Sequence, residues 1–175
     1  MSKQEQLEKN IEEFLRILNF HGPNFYDTPK RIARMWMKFL EPKETEFRDF
    51  PSSSASIVCL DNHIAWGYCP HHLLPVKYTF RIAYAPSNGR VCGISKLARI
   101  ADTCMSSLAL QEDLGILIAD MLNKYLKPNG IGVLIKGEHM CMRIRGVESP
   151  EAFIKTKTLT GVFEQDPIRK EFMEI

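Results

Sequence analysis

The chain has 175 residues, of which 45% are hydrophobic and 25% are charged, and its formal net charge is +2. This size suits one compact domain, the composition excludes a disordered chain, and so small a net charge gives no sign of a nucleic-acid partner. No apolar run approaches the roughly 18 residues that cross a bilayer, and the first residues lack the apolar core of a signal peptide, so we expect a folded cytoplasmic protein.

Residues 1–50 are predicted to form an N-terminal helical region. Apolar residues recur at helical spacing over residues 3–19, which predicts an amphipathic helix. The segment DTPKRIARMWMKFL predicts a second helix, because Pro29 suits a first helical turn. Pro42 is expected to end that helix, and residues 51–55 to form a turn or loop.

Residues 51–175 are predicted to form one further unit built on an antiparallel sheet. β-Branched and aromatic residues, interrupted by turn signals, predict strands between about 56 and 94. Helical stripes follow over about 95–107 and 114–125. GVLIKG, HMCMRIRG and IKTKTLTG predict three more strands, before a short C-terminal helix in PIRKEFMEI. Helices segregated on one side of such a sheet make the fold class α+β.

The five cysteines are an odd number, which indicates free thiols or metal ligands in a reducing compartment. Cys69, His71 and His72 lie within four residues and are all good zinc ligands. On a flat strand Cys69 and His72 would point to opposite faces, so their joint use requires a turn, which Pro70 and Pro75 favour. The alternative is a buried structural cysteine beside surface histidines, since short Cys/His matches arise by chance.

A second cluster lies in HMCMRIRG. If this segment is a strand, its alternation puts His139, Cys141, Arg143 and Arg145 on one face and buries Ile144 with two methionines on the other. The reactive face could complete a Cys₂His zinc site with the first cluster, leaving a fourth position for water as catalytic zinc requires. A half-buried edge strand with solvated arginines is the alternative.

Small cationic groups accompany these clusters. Ser95 is predicted to cap a helix whose first turn carries Lys96 and Arg99, where free N–H groups and two cations favour an anion. Arg31 and Arg34 repeat that spacing in the second helix. Such groups suit a polyanionic small molecule, with phosphate the natural candidate, better than a DNA backbone. Solvated helix faces are the alternative.

Gln111 and Glu112 directly precede a helical stripe. A Glu in that position is usually a first-turn carboxylate favoured by the helix dipole. It could also accept two hydrogen bonds side by side from the N–H groups of a base such as guanine. Spacing alone leaves both interpretations open.

Together these motifs resemble GTP cyclohydrolase I. The resemblance runs from about Tyr26 to the C-terminus and rests on DTPKRIARMW, the Cys-x-His-His followed by LLP, GISKLARI, Gln-Glu before a helix, HMCMRIRG and a late TGVF. It implies a T-fold, a homodecamer of two pentameric β-barrels and active sites at subunit interfaces. It also implies a zinc enzyme that converts GTP and water to 7,8-dihydroneopterin triphosphate and formate, which opens pterin and tetrahydrofolate biosynthesis.

The resemblance further implies a role for each candidate residue. The zinc ligands would be Cys69, His72 and Cys141. The catalytic residues would be His71 and His139, which transfer protons, together with Ser95 at the triphosphate. The other triphosphate ligands would be Lys96, Arg99 and Arg145, joined by Arg31 and Arg34 from a neighbouring subunit. Gln111 and Glu112 would read the guanine.

Three segments depart from the family pattern. Pro70 stands where a Glu usually follows the first zinc cysteine, and residues 76–79 and 106–110 differ from the usual sequences. These departures leave two alternatives. One is a T-fold homologue that acts on another purine nucleotide or stops at the ring-opened intermediate. The other is a non-catalytic zinc-binding oligomer.

Overall fold

The structure is a computed structural model that describes residues 1–41, 46–53 and 56–174. The chain divides into two compact units, Met1–Pro42 and Lys43–Ile175. The predicted helix end at Pro42, and the last two positions of the predicted loop at 51–55, lie outside the described residues. Among the described helices, none combines the length and the apolar character that a membrane span requires.

The first unit consists of two helices joined by a short turn. Helix α1 (Lys3–Ile17) begins with a capping box, in which the Glu5 N–H donates to Ser2 Oγ and the Ser2 N–H donates to the Glu5 carboxylate. A 3₁₀ turn (Pro23–Phe25) leads into α2 (Thr28–Leu40). Both helices predicted from the apolar spacing are therefore confirmed.

The second unit is built on a four-stranded antiparallel sheet. Its strands, in spatial order, are β2 (Val58–Tyr68), β3 (Pro75–Ala85), β5 (Gly130–His139) and β6 (Ile154–Gly161). A separate pair joins β1 (Asp49–Pro51) to β4 (Arg90–Cys92). Strand β1 was not predicted, because three residues are too few to display an alternating pattern.

Two helices cover one face of the four-stranded sheet. Helices α3 (Ser95–Met105) and α4 (Gln111–Leu126) bury their apolar stripes against alternate residues of β3 and β5. A short helix, α6 (Ile168–Glu174), packs with Phe163 at one end of the opposite face. The α+β class and the antiparallel sheet are confirmed.

The predicted strand HMCMRIRG is wrong. Strand β5 ends at His139, and the next four residues form a single helical turn, α5 (Met140–Arg143). Ile144, which the alternation placed in the core, is 65% exposed. Pairing with β3 stops where His139 lies opposite Val76, and the next residue of β3 is Pro75, which has no N–H to extend the ladder. The chain therefore turns away at this point.

Candidate metal centre and its surroundings

A tight reversal between β2 and β3 brings Cys69 and His72 together. The Cys69 N–H donates to Leu74 O at 2.9 Å, and the Leu73 N–H donates to Cys69 O at 2.8 Å. Leu73 adopts a positive φ of 53°, which closes the turn. The turn predicted from the flanking prolines is confirmed, and two donors three residues apart meet on one side of it.

Cys141 completes a cluster of three donors. Helix α5 carries it at the end of β5, and the donor atoms of Cys69, His72 and Cys141 all lie within 4.8 Å of one another. Within the described ranges this is the only group of three or more His, Cys, Asp or Glu side chains close enough to share a metal ion. Cys69 is buried and His72 is exposed, so the cluster opens to solvent on the histidine side.

The donor set suits a soft divalent metal such as zinc. Two thiols and one imidazole form a Cys₂His set, which in catalytic zinc sites leaves the fourth position for water. Tetrahedral bonds of about 2.0–2.3 Å place donor atoms roughly 3.5–4 Å apart, so the cluster needs little adjustment. Burial and the neighbouring Cys69 thiol raise the pKa of Cys141, so metal binding would release a proton from it.

Arg145 reaches this cluster. Its Nη1 donates to His72 Nε2 at 2.6 Å, so that ring nitrogen carries a lone pair in this arrangement. A metal ion held by His72 would then either bind to Nδ1 or displace the Arg145 guanidinium from Nε2. The residue implied for the triphosphate thus lies directly beside an implied zinc ligand.

The two predicted proton-transfer histidines both lie near the cluster. His71 is exposed, and its Nδ1 lies 3.8 Å from Cys69 Sγ. His139 is half-buried at the end of β5, and burial lowers its pKa. The Glu112 carboxylate opposes that lowering and His71 adds to it, so both groups lie close enough to act on the His139 ring.

Gln111 is the only buried polar residue among those that the structure describes. It is the first residue of α4 and is 4% exposed, and its Oε1 lies 2.8 Å from His139 Nε2. Its neighbour Glu112 is exposed in the same first turn. The predicted pair therefore separates into one side chain bonded within the protein and one that faces solvent.

The predicted anion group lies at the start of α3. Ser95 and Arg99 are exposed there, and Lys96 Nζ donates to Glu46 O. Ser95 is not an N-cap, because Ile94 takes that position with helical φ and ψ of −50° and −43°, whereas a capping serine needs extended backbone. In the described part of the chain, no hydrogen bond or ion pair joins these residues to the three metal donors.

The second pair of predicted cations lies in the first unit. Arg31 faces Asp27, with Nη2 and Oδ2 3.5 Å apart, and Arg34 is exposed on the same helix. Their approach to the site of a neighbouring subunit stays a prediction.

Two features of the surroundings were not predicted. Tyr78 is buried in β3 with its ring edge-on to that of His139, 6.0 Å away, and burial together with Cys69 raises its pKa. The second feature is an ion pair of 2.9 Å between Glu138 and Arg143, which fastens α5 to β5. The sequence pattern predicted strands in this part of the chain, but it gave no sign that Tyr78 lies beside His139.

Comparison with known proteins identifies relatives of this chain. The family model for GTP cyclohydrolase I matches residues 4–175. GTP cyclohydrolase 1 of Enterococcus faecalis is 35% identical over 178 residues, which cover 98% of this chain and 96% of that protein. GTP cyclohydrolase 1 of Streptococcus suis is 35% identical over 184 residues, which cover 100% of this chain and 98% of that protein.

Among solved structures, the archaeosine synthase QueF-Like in its apo form aligns with a TM-score of 0.48 and 16% identity, over 62% of this chain and 97% of that one. The family match spans nearly all of the sequence, including every segment on which the resemblance rests. With relatives 35% identical over their full lengths, the chain belongs to the GTP cyclohydrolase I family and has its T-fold.

Proposed function

We propose that this chain is a zinc-dependent GTP cyclohydrolase I, which converts GTP and water to 7,8-dihydroneopterin triphosphate and formate. The observation that carries the proposal is the convergence of Cys69, His72 and Cys141 within 4.8 Å, with two histidines beside them. Family membership supports the reaction, and the sulfur and nitrogen donors support zinc over a hard cation such as magnesium.

The proposed reaction requires a site that activates water and side chains that transfer protons. Zinc, when bound, supplies the Lewis acidity that makes water nucleophilic near neutral pH. Opening the guanine imidazole ring and releasing C8 as formate then require proton transfers at nitrogen and oxygen atoms. Burial lowers the pKa of His139, which favours the neutral ring that can accept a proton, while exposed His71 lies on the solvent side.

Substrate binding is assigned to the polar groups around the cluster. The exposed Glu112 carboxylate has the two acceptors that the adjacent N–H groups of guanine require. The proposed triphosphate ligands are Ser95, Lys96, Arg99 and Arg145, with Arg31 and Arg34 from a neighbouring subunit. Guanidinium groups suit phosphate oxygens because they offer paired donors in a plane.

We also propose the homodecamer of two pentamers, with active sites at subunit interfaces. Both outer strands of the sheet, β2 and β6, have one edge without a partner strand in the described chain. Near one edge, Ile64 is 53% exposed and Trp66 is 58% exposed. A long apolar edge invites pairing, and β2 and β6 run in opposite directions, so β6 of one copy would extend the sheet antiparallel to β2 of the next.

The decisive experiment measures metal and product on the same sample. Zinc-loaded protein is incubated with GTP, and pterin absorbance, formate and product mass are recorded. We expect one formate per dihydroneopterin triphosphate. A ring-opened product without formate, or turnover only with another purine nucleotide, would favour the first alternative, and bound zinc without any turnover would favour the non-catalytic oligomer.

A matched pair of cysteine variants tests the ligand assignment. Cys141→Ala is expected to lose bound zinc and activity together. Cys59→Ala is the control, because Cys59 is also accessible but lies on β2 outside the cluster. Equal zinc content in the two variants would contradict the ligand set.

A further inference from the structure

We propose that Gln111 is a positioning residue, which holds His139 with its proton on Nε2 and leaves Nδ1 as the ring's only acceptor. Only the predicted effect on kcat rests on the proposed function. The tautomer of His139 is a property of the protein without substrate. It gives Gln111 a role different from reading the guanine base.

The orientation of the Gln111 amide follows from its neighbours. Its Nε2 donates to Ile154 O at 3.0 Å, with Ile135 O and Thr156 Oγ1 both 3.4 Å away. A backbone carbonyl oxygen only accepts hydrogen bonds, so the NH₂ end of the amide must face Ile154 and Ile135. The opposite orientation would set oxygen against oxygen in a buried place.

The tautomer of His139 follows in turn. With the NH₂ end fixed, the amide oxygen is the atom that lies 2.8 Å from His139 Nε2. An amide oxygen has no proton to donate, so the hydrogen must be on His139 Nε2. In a neutral imidazole the second nitrogen, Nδ1, then carries the lone pair and is the only atom able to accept a proton.

Gly137 provides the space for this hydrogen bond. It lies in β5 between Tyr78 and Ile154 of the neighbouring strands. A Cβ added there would fall 2.1 Å from Gln111 Oε1 and 3.0 Å from His139 Nε2. Any side chain at Gly137 must therefore displace the Gln111 amide oxygen. A substitution in β5 thus provides a second way to break the hydrogen bond between Gln111 and His139.

Gln111 and Glu112 are expected to have different roles in catalysis. The buried amide of Gln111 uses its oxygen on His139 and its nitrogen on backbone carbonyls, so little of it remains for substrate. Loss of Gln111 should then lower kcat, because the histidine that moves protons is no longer oriented. Loss of the exposed Glu112 carboxylate should instead raise KM.

The test reads the tautomer directly. Zinc-loaded protein labelled with ¹⁵N-histidine is studied by solid-state ¹⁵N NMR, which separates protonated from unprotonated ring nitrogens at any assembly size, and His139→Asn identifies the signals. We expect wild type and Glu112→Gln to show protonated Nε2 and bare Nδ1 at His139. Gln111→Met removes the amide oxygen and Gly137→Ala displaces it from a different element, so both variants should show a mixture of the two tautomers.

Kinetics on the same proteins complete the test. Gln111→Met and Gly137→Ala are expected to lose about 100-fold in kcat with KM within twofold of wild type, in the range for a misplaced acid–base group. A wild-type tautomer in both variants would overturn the proposal, as would an unchanged kcat with a raised KM in Gln111→Met. If GTP were not the substrate, the NMR result would still decide the tautomer, so the two proposals fail separately.

Discussion

At the level of single residues, Arg81 joins three elements on the face of the sheet away from α3 and α4. Its Nη1 donates to Phe172 O of α6 at 2.9 Å, and its Nη2 donates to Asp61 of β2 at 2.7 Å. The Arg81 side chain is mostly buried, and the Asp61 carboxylate compensates its positive charge. The hydrogen bond from Arg81 lowers the pKa of Asp61 below its usual value.

This pair predicts how stability changes with acidity. A carboxylate whose pKa is lowered by folding adds stability above its unfolded pKa, and that stability is lost as the pH falls through the folded pKa. Asp61→Asn should therefore lower the free energy of unfolding by about 1 kcal/mol at pH 7, a value reduced by solvent screening. Urea unfolding from pH 7 to pH 3 should show the gap between variant and wild type closing below about pH 4. A gap independent of pH would contradict the role given to this pair.

The proximity of Cys69, His72 and Cys141 could be predicted from the sequence because thiols and imidazoles close together along a chain have few structural uses. The partner of Gln111 could not be found in this way. Its hydrogen bonds depend on carbonyl groups of β5 and β6 and on the space above Gly137, which are set by pairing between distant segments. The spacing of residues along the sequence does not predict which distant segments pair.

At the level of elements, α5 is a single helical turn that carries Cys141, one of the proposed metal ligands. The turn presents Cys141, and Arg143 at its end bonds both to Glu138 at 2.9 Å and to Ala152 O at 3.4 Å. One turn of helix is too short to be stable by itself. The side chain of Arg143 therefore fixes the turn between β5 and the segment that precedes β6.

Arg143→Met is expected to weaken zinc binding by about tenfold, the lower end of the range for residues that orient metal ligands. Competition with a chromophoric chelator measures the affinity. Lys136→Met is the matched control, since Lys136 approaches the same Glu138 carboxylate only to 3.8 Å from a more exposed position. Equal affinities in the two variants would show that the ion pair does not support the ligand.

Most elements could be predicted because their periods of two or 3.6 residues extend over several turns or pairs. The exception is α5, which follows β5 without any break in the sequence alternation. The alternating pattern in HMCMRIRG therefore extends beyond His139, where pairing between β5 and β3 ends. The end of the ladder depends on where β3 begins, about 60 residues earlier in the chain. Local periodicity does not contain that information.

At the level of the whole molecule, the proposed assembly depends on the edges of the sheet. Trp66→Lys places a charge near the β2 edge, where burial of an unpaired ammonium would be costly. We expect a smaller molar mass by light scattering, less turnover per chain, and unchanged zinc content. Ile116→Lys is the control, because Ile116 is 51% exposed on α4 rather than on the sheet. Unchanged mass and turnover in Trp66→Lys would contradict pairing at this edge.

The amide of Gln111 spans the distance between an outer strand and the reaction centre. One end is bonded to Ile154, the first residue of β6, and the other to His139. A rigid planar group transmits displacement along its length, so a shift at the beginning of β6 would tilt the imidazole. The edge to which another copy would attach in the proposed assembly is thus linked through one side chain to His139, the proposed proton-transfer residue.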